Sequence, residues 1–454
     1  MNKIEKSDII ESSEQIMDEY IKDLSSLVSI YSKNRDEEAC AGAPFGKECR
    51  QALDAAATIA RKLGFDVSVD PEGYYAYADI GSGKEMMGVL GHMDVVPADD
   101  LDNWDTNPCE LVVKDKKMFG RGTSDDKGPM LASMYAMKIL LDKGAVLNHR
   151  VRFILCSDEE CLWRCIDKYI EKEECPSFGF TPDADFPMVY AEAGLLELTI
   201  SSTEEKAPRL LGEGAFNAVC ASASTDPCTG FAEVLDKLGI RYKMDDENLT
   251  VIGKTAHAMA ADEGINAISL MAKAFASCGV KSSMIDFINE SANVPHGTNI
   301  FGEVSDEHTG KLMFNIGIAD IKDGTQSLGI DIRYPSTTNK EEVTDKITKA
   351  AAKYGLKVEE YSYLRPVFVP MDSNLAKVFM GAYQDVTGDM ESKAVATSGA
   401  TFARSMENII AFGAVMPDTK KTEHQPNEFA YIKDIKDAIV IYALAFQELV
   451  CDSE

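Results

Sequence analysis

An apolar run, Met86-Met87-Gly88-Val89-Leu90, leads directly into Gly91-His92-Met93-Asp94-Val95-Val96-Pro97. A run so uniformly apolar reads as a strand buried on both faces, the kind found in sheets covered by helices on each side. Successive strand residues point to opposite faces, so His92 and Asp94 share a face where the strand ends. An imidazole beside a carboxylate is the arrangement of a histidine metal ligand whose second ring nitrogen is held by a neighbour.

The flanking sequence extends this strand into a domain. Apolar positions recur at helical spacing from Ser12 to Ser32 and from Arg50 to Leu63, where Gly64 stops the helix. Phe65 to Val69 alternates as a strand does, Tyr74 to Ile80 reads as another, and a helix from Pro129 to Lys143 precedes a buried strand at Val151–Cys156. Strands alternating with helices predict an α/β domain with a mostly parallel sheet and helices on both faces. After Gly194 the texture changes to an α+β pattern, with strands at Leu195–Ser201 and Leu249–Gly253 and a helix at Asp262–Ala276. Leu328 to Tyr334 alternates, with Leu328, Ile330 and Ile332 on the core face. The expected organisation is a discontinuous first domain of residues 1–192 and 366–454, interrupted by a domain-sized insert of residues 193–365.

Composition narrows the function. A formal net charge of −29 over 454 residues argues against nucleic acid and anionic membranes, which call for clustered Lys and Arg. No run approaches the roughly 18 apolar residues of a membrane span, and Met1 to Asp8 lacks the apolar core of a signal peptide. Eleven cysteines, an odd number at irregular spacing, do not make a disulfide framework. Cys156, Cys161, Cys165 and Cys175 lie close together without a paired CxxC knuckle, so they read as small apolar thiols rather than metal ligands. The expected compartment is the cytoplasm.

Four further clusters follow the His92 segment in order: Gly120-Arg121-Gly122-Thr123-Ser124-Asp125-Asp126-Lys127-Gly128-Pro129, Asp158-Glu159-Glu160, Pro182-Asp183-Ala184-Asp185-Phe186-Pro187, and Glu423-His424-Gln425. Their order and spacing resemble the co-catalytic zinc peptidase family of carnosinase, acetylornithine deacetylase, succinyl-diaminopimelate desuccinylase and carboxypeptidase G. The resemblance is greatest to its bacterial PepV-like dipeptidase branch. It spans nearly the whole chain, and it makes the insert a lid over the active site.

Nitrogen and carboxylate donors without thiolates suit zinc, with manganese or cobalt as alternatives. The resemblance implies two divalent ions, bridged by Asp125, with His92 and Asp183 completing one metal and Glu160 and His424 the other. Asp94 then orients His92, Glu159 is the general base, Asp126 is a bystander, and a cis peptide joins Asp125 to Asp126. In the lid, His257 matches a histidine that donates to the oxyanion, and Arg333 an arginine that grips the substrate carboxylate. An exposed ion pair with Asp331 is the alternative for Arg333. Asn217 and Gly399 match substrate-binding positions. Departures from the family pattern include Cys156-Ser157 before the Glu pair and Ala400 where a second glycine is usual.

The Ser-Asp-Asp-Lys-Gly-Pro loop and the Pro-Asp-Ala-Asp-Phe-Pro segment favour a dipeptidase acting on small peptides with a free carboxylate. The alternatives are an amidohydrolase that deacylates N-acyl amino acids and an inactive peptide-binding relative. Such relatives occur either as monomers or as lid-mediated homodimers.

Overall fold

The strand Met86–His92 is buried at every position and lies inside a sheet, as its unbroken apolar character requires. The computed structural model describes residues 3–98, 101–397 and 399–452. These divide into two units: Met1–Tyr190, Val369–Val395 and Ala400–Glu454 form the first, and Ala191–Phe368 and Ala396–Gly399 the second.

In the first unit the sheet order is Asp66–Val69, Tyr75–Gly81, Arg150–Cys156, Met86–His92, Phe178–Thr181 and Ile409–Ala411. The last four strands run parallel. The first two are antiparallel additions, and Val189 pairs antiparallel against Ala411 on the other side. Alternation along Arg150–Cys156 shows why both faces are covered. Val151, Phe153 and Leu155 enter a core shared with the helices Lys47–Lys62, Lys127–Asp142 and Ile432–Val450. Arg152 points the other way, where its guanidinium pairs with Asp79 at 2.7 Å, lies 3.9 Å from the Tyr77 ring centroid and donates to the Tyr169 hydroxyl at 3.1 Å. Tyr169 belongs to the helix Arg164–Lys172, which therefore packs on the opposite face.

Chain beyond residue 400 returns to this sheet. Phe180, fully buried, meets Phe379, Phe412, Tyr442 and Phe446 with ring centroids 5.2–6.0 Å apart. The expected helix from Ser12 to Ser32 is instead a pair, Lys6–Gln15 and Met17–Val28. Their buried positions, Ile9 on one and Tyr20, Leu24 and Leu27 on the other, form separate apolar stripes with the break at Ile16 between them.

The second unit is an eight-stranded sheet, antiparallel throughout, in the order Tyr242–Met244, Leu249–Ile252, Ser222–Thr225, Leu210–Gly212, Met313–Lys322, Thr325–Tyr334, Gly194–Ser202 and Lys357–Leu364. Leu328, Ile330 and Ile332 face its core, together with residues of the helices Ala267–Ser277, Ser283–Glu290 and Lys340–Ala352. The helix expected from Asp262 begins later, at Ala267. Asn266 caps it by accepting the amides of Ile268 and Ser269 at 3.0 and 3.2 Å, while Ala258–Glu263 forms a separate 3₁₀ stretch. Among the described residues no helix is long and apolar enough to cross a membrane.

The Phe180 ring joins the parallel strands to the returning C-terminal segment, so Phe180→Ala should lower the stability of the first unit by about 3–5 kcal/mol. The check is urea unfolding followed by circular dichroism, where the first transition to lose helix should move to lower denaturant. An unmoved midpoint would mean that the surrounding aromatics close over the cavity.

Candidate metal centre

Three adjacent parallel strands end on one edge of the first unit's sheet, and each delivers part of the site. Met86–His92 ends on His92, Arg150–Cys156 is followed by Asp158-Glu159-Glu160, and Phe178–Thr181 is followed by Asp183. The carboxyl ends of parallel strands are where open α/β sheets place their sites. Asp125 comes from the loop before the helix Lys127–Asp142, joined to Asp126 by a cis peptide. His424 comes from the loop that leads into the strand Phe429–Tyr431.

Asp125 lies between the two imidazoles. Its Oδ1 is 3.0 Å from His92 Nε2 and its Oδ2 is 3.0 Å from His424 Nε2. His92 Nε2 also has Asp183 Oδ2 at 3.6 Å, and His424 Nε2 has Glu160 Oε1 at 3.2 Å. A donor atom of Glu159 groups with those of His92 and Asp183, all within 4.8 Å of one another. The ring of His92 is fully buried, whereas the His424 side chain remains 58% exposed.

The second nitrogen of His92 is held by Asp94, mainly through its main chain. Nδ1 lies 3.0 Å from the Asp94 carbonyl oxygen and 3.4 Å from Oδ1. With Nδ1 donating to that carbonyl, Nε2 keeps its lone pair for a metal. The Asp94 carboxylate works elsewhere as well, since its Oδ2 accepts the Glu160 amide at 3.1 Å. Asp126 is more than a bystander, because its Oδ2 accepts the His92 amide at 3.1 Å. Gly91 permits this approach: a Cβ there would stand 2.5 Å from Asp126 Oδ2 and 2.7 Å from Met130 Sδ.

The electrostatics are those of crowded negative charge. Burial, reinforced by neighbouring carboxylates, raises the Glu159, Asp126 and Asp183 carboxyls above their ordinary range and pushes Glu160 up to about 7. Burial also opposes ionisation of Asp125, yet the hydrogen bonds to His424 and His92 hold it low. Burial disfavours the charged His92 ring, but Asp125, Asp183 and Asp94 together raise it well above the usual value. Hydrogen bonds to Asp125 and then Glu160 push His424 up to about 11. Clustered oxygen and nitrogen donors with surplus negative charge fit divalent cations, and each histidine faces its own Asp125 oxygen, as a bridging carboxylate requires.

The second unit brings together three of the residues expected in the lid. Ala218 and His257 form a β-bridge, and the Ala258 amide donates to the Asn217 carbonyl at 2.9 Å, placing Asn217 beside His257. Both side chains are exposed. Burial and then the Arg333 charge lower the His257 pKa, and its Nδ1 accepts the Met259 amide at 3.1 Å. The neutral ring therefore carries its hydrogen on Nε2, facing outward as a donor. Arg333 does pair with Asp331, Nε to Oδ1 at 3.0 Å and Nη2 to Oδ2 at 3.1 Å, but the pair is buried rather than exposed. The strands on both sides, through Leu195 and Met313, enclose it. Gly399 is exposed, with its amide donating to Thr397 Oγ1 at 3.0 Å, and Ser398 beside it lies outside the described residues.

Several supporting residues carry no sequence signal of their own. Arg164 binds the Asp158 carboxylate through Nε at 2.7 Å and Nη2 at 2.8 Å, and Asn34 donates to the same group, which anchors the loop that carries Glu159 and Glu160. Glu428 is fully buried against the Asp125 loop. Only its closeness to His424 in sequence could have drawn notice to it.

The site and fold define a metal-dependent hydrolase, and comparison with known proteins identifies which. The model of Peptidase family M20/M25/M40 matches residues 88–448, and the chain belongs to that family. It is a metallopeptidase. The chain is 32% identical over 464 residues to a "Putative dipeptidase" of Staphylococcus epidermidis, spanning 94% of this chain and 96% of the relative. A Staphylococcus haemolyticus protein of the same description is 33% identical over 462 residues, with the same coverage of 94% and 96%. Among solved structures, the di-peptidase Dug1p of Saccharomyces cerevisiae superposes with a TM-score of 0.60 at 15% identity, covering 98% of each chain. Human carnosine dipeptidase 1 gives 0.56 at 17% identity, covering 98% of this chain and 99% of that one. At those identities the structural likeness speaks to the fold.

The raised groups make a prediction about protons. Without metal at pH 7, His424 holds its proton and Glu160, poised at about 7, is partly protonated. Metal ligands bind deprotonated, so cation binding should release protons. Zinc titrations in buffers of different ionisation enthalpy should give apparent enthalpies that vary with the buffer in the direction of release. Buffer-independent enthalpies would contradict the raised states. The same groups bind more protons folded than unfolded, so the metal-free protein should lose stability as pH rises, from about 4.5 through 7 on account of Glu160 and from about 6.5 through 11 on account of His424.

Proposed function

We propose that the chain is a dipeptidase that hydrolyses the peptide bond of short peptides bearing a free carboxylate, using two divalent cations, zinc first. The observation that carries this reading is Asp125, with one oxygen 3.0 Å from each histidine. On this reading Asp125 bridges the ions, His92 and Asp183 complete one, and Glu160 and His424 the other. Bound there, the cations supply polarisation of the scissile carbonyl and a lowered pKa for the attacking water.

The chain's own residues do the rest. Glu159 receives the proton of the attacking water on its carboxylate and returns it to the leaving amine nitrogen as the carbon–nitrogen bond breaks. Its buried setting, which raises its pKa, suits a group that must both take and give a proton near neutral pH. His257, neutral with Nε2–H outward, donates to the oxyanion. Arg333, its guanidinium held by the pair with Asp331, is the group proposed to meet the substrate's terminal carboxylate, with Asn217 and Gly399 lining the substrate. Dipeptidase substrates are favoured over N-acyl amino acids because curated relatives at 32–33% identity over nearly the whole chain carry that description. Eleven free cysteines support a cytoplasmic setting.

Two experiments test this. Glu159→Gln keeps size but cannot take the water's proton, so it should lower kcat by about 10²–10⁴ with two ions still bound. Glu160→Gln should instead loosen one ion, with activity partly restored at high zinc. Metal analysis beside turnover separates them, and the reverse pattern would exchange their roles. In a panel of dipeptides, their C-terminal amides and N-acyl amino acids, free dipeptides should be preferred. Amidation should cost about 2–5 kcal/mol in kcat/KM. Preferential hydrolysis of N-acyl amino acids would transfer the chain to the deacylases.

A further inference from the structure

A single carboxylate, Glu428, gathers nearly the whole loop that presents Asp125. Its Oε1 accepts the amides of Gly122 at 3.0 Å, Ser124 at 2.9 Å and Asp125 at 3.3 Å. Its Oε2 accepts Arg121 Nη1 at 2.6 Å, and its main-chain oxygen accepts the Gly120 amide at 3.1 Å. The side chain is fully buried. A carboxylate taken out of water is tolerated only where hydrogen bonds and an opposite charge replace its solvation, and here both are present. Arg121 is itself fixed, lying 5.2 Å from the Trp104 ring centroid with Nη2 3.3 Å from the Pro97 carbonyl.

Neighbouring residues close on the same loop. Ser124 Oγ donates to Glu423 Oε1 at 2.9 Å, and Phe429–Tyr431 pairs antiparallel with Lys117–Phe119. Glu423, His424 and Glu428 therefore hold the Asp125 loop at three successive points. The clamp matters because Asp125 must present its two oxygens in two directions, one to each imidazole. The amide of Asp125 and that of the residue before it both end on Glu428 Oε1, so that oxygen fixes the backbone from which the carboxylate projects.

We propose that Glu428 is a positioning residue that sets the Asp125 carboxylate in its bridging orientation, so that the segment supplying His424 also aligns the ligand shared by both ions. The proposal rests on the two-cation reading. Partners that orient metal ligands from outside the coordination shell typically contribute about 10–100-fold in metal affinity. The test is calorimetric zinc titration of the chelator-stripped full chain, with dipeptide kinetics on the reloaded enzyme. Glu428→Ala should bind zinc about 10–100-fold more weakly and lose kcat with little change in KM. Glu428→Gln keeps an acceptor oxygen for the three amides but turns an NH2 toward Arg121, so it should bind zinc more tightly than Glu428→Ala and more weakly than the parent. Two ions bound by Glu428→Ala at the parent's affinity would overturn the proposal and leave the two-cation reading standing. A parent chain that binds no zinc would overturn both.

Should the variants not fold, hydrogen exchange on the parent chain decides the question. Zinc should slow exchange in peptides covering residues 120–125 and 424–428 together. Protection confined to 424–428 would show that the clamp does not act on Asp125.

Discussion

The structure of the first unit is arranged around a concentration of negative charge that it has to hold still. Asp94, Asp125, Asp126, Glu159, Glu160 and Asp183 meet at one sheet edge, with the imidazoles of His92 and His424 among them. Two unit charges about 4 Å apart near a protein surface interact by roughly 4 kcal/mol, so such a group relaxes apart unless each member is tied. The ties are visible: Asp126 to the His92 amide, Asp94 to the Glu160 amide, Asp158 to Arg164, and Glu428 to the amides before Asp125. Protons retained on the carboxyls and imidazoles relieve what remains. Such a site is preorganised at a cost in repulsion, and cations convert that cost into affinity.

The clusters that meet at the sheet edge were legible in the sequence because each sits at a position with its own pattern. His92 ends an apolar run, the Glu pair and Asp183 follow others, and Asp125 opens a helix. Strand alternation also gave the core face of Leu328, Ile330 and Ile332. What sequence could not give were contacts made across long separations with the main chain. Glu428 binds amides 303–306 residues away, and an amide leaves no mark in an amino-acid pattern. The burial of Arg333 escaped for a similar reason, since an alternating Asp331–Arg333 pair looks the same whether water or flanking strands lie beyond it. The late start of the helix at Ala267 turns on which side chain reaches the first free amides, and Asn266 does so.

The placement of His424, Glu428 and their neighbours near the C-terminal end of the chain has a consequence during synthesis. Asp125 leaves the ribosome almost 300 residues before His424. At about 5–20 residues per second that interval lasts on the order of 15–60 s, during which the N-terminal half has its acidic cluster but neither the second imidazole nor the clamp. A nascent chain in that interval presents an incomplete set of donors, with the parallel sheet still lacking the strand Ile409–Ala411. On the proposed assignment of His424, hydrolytic competence thus waits for residues 424–428, since a fragment cut short before them lacks the second imidazole and the clamp.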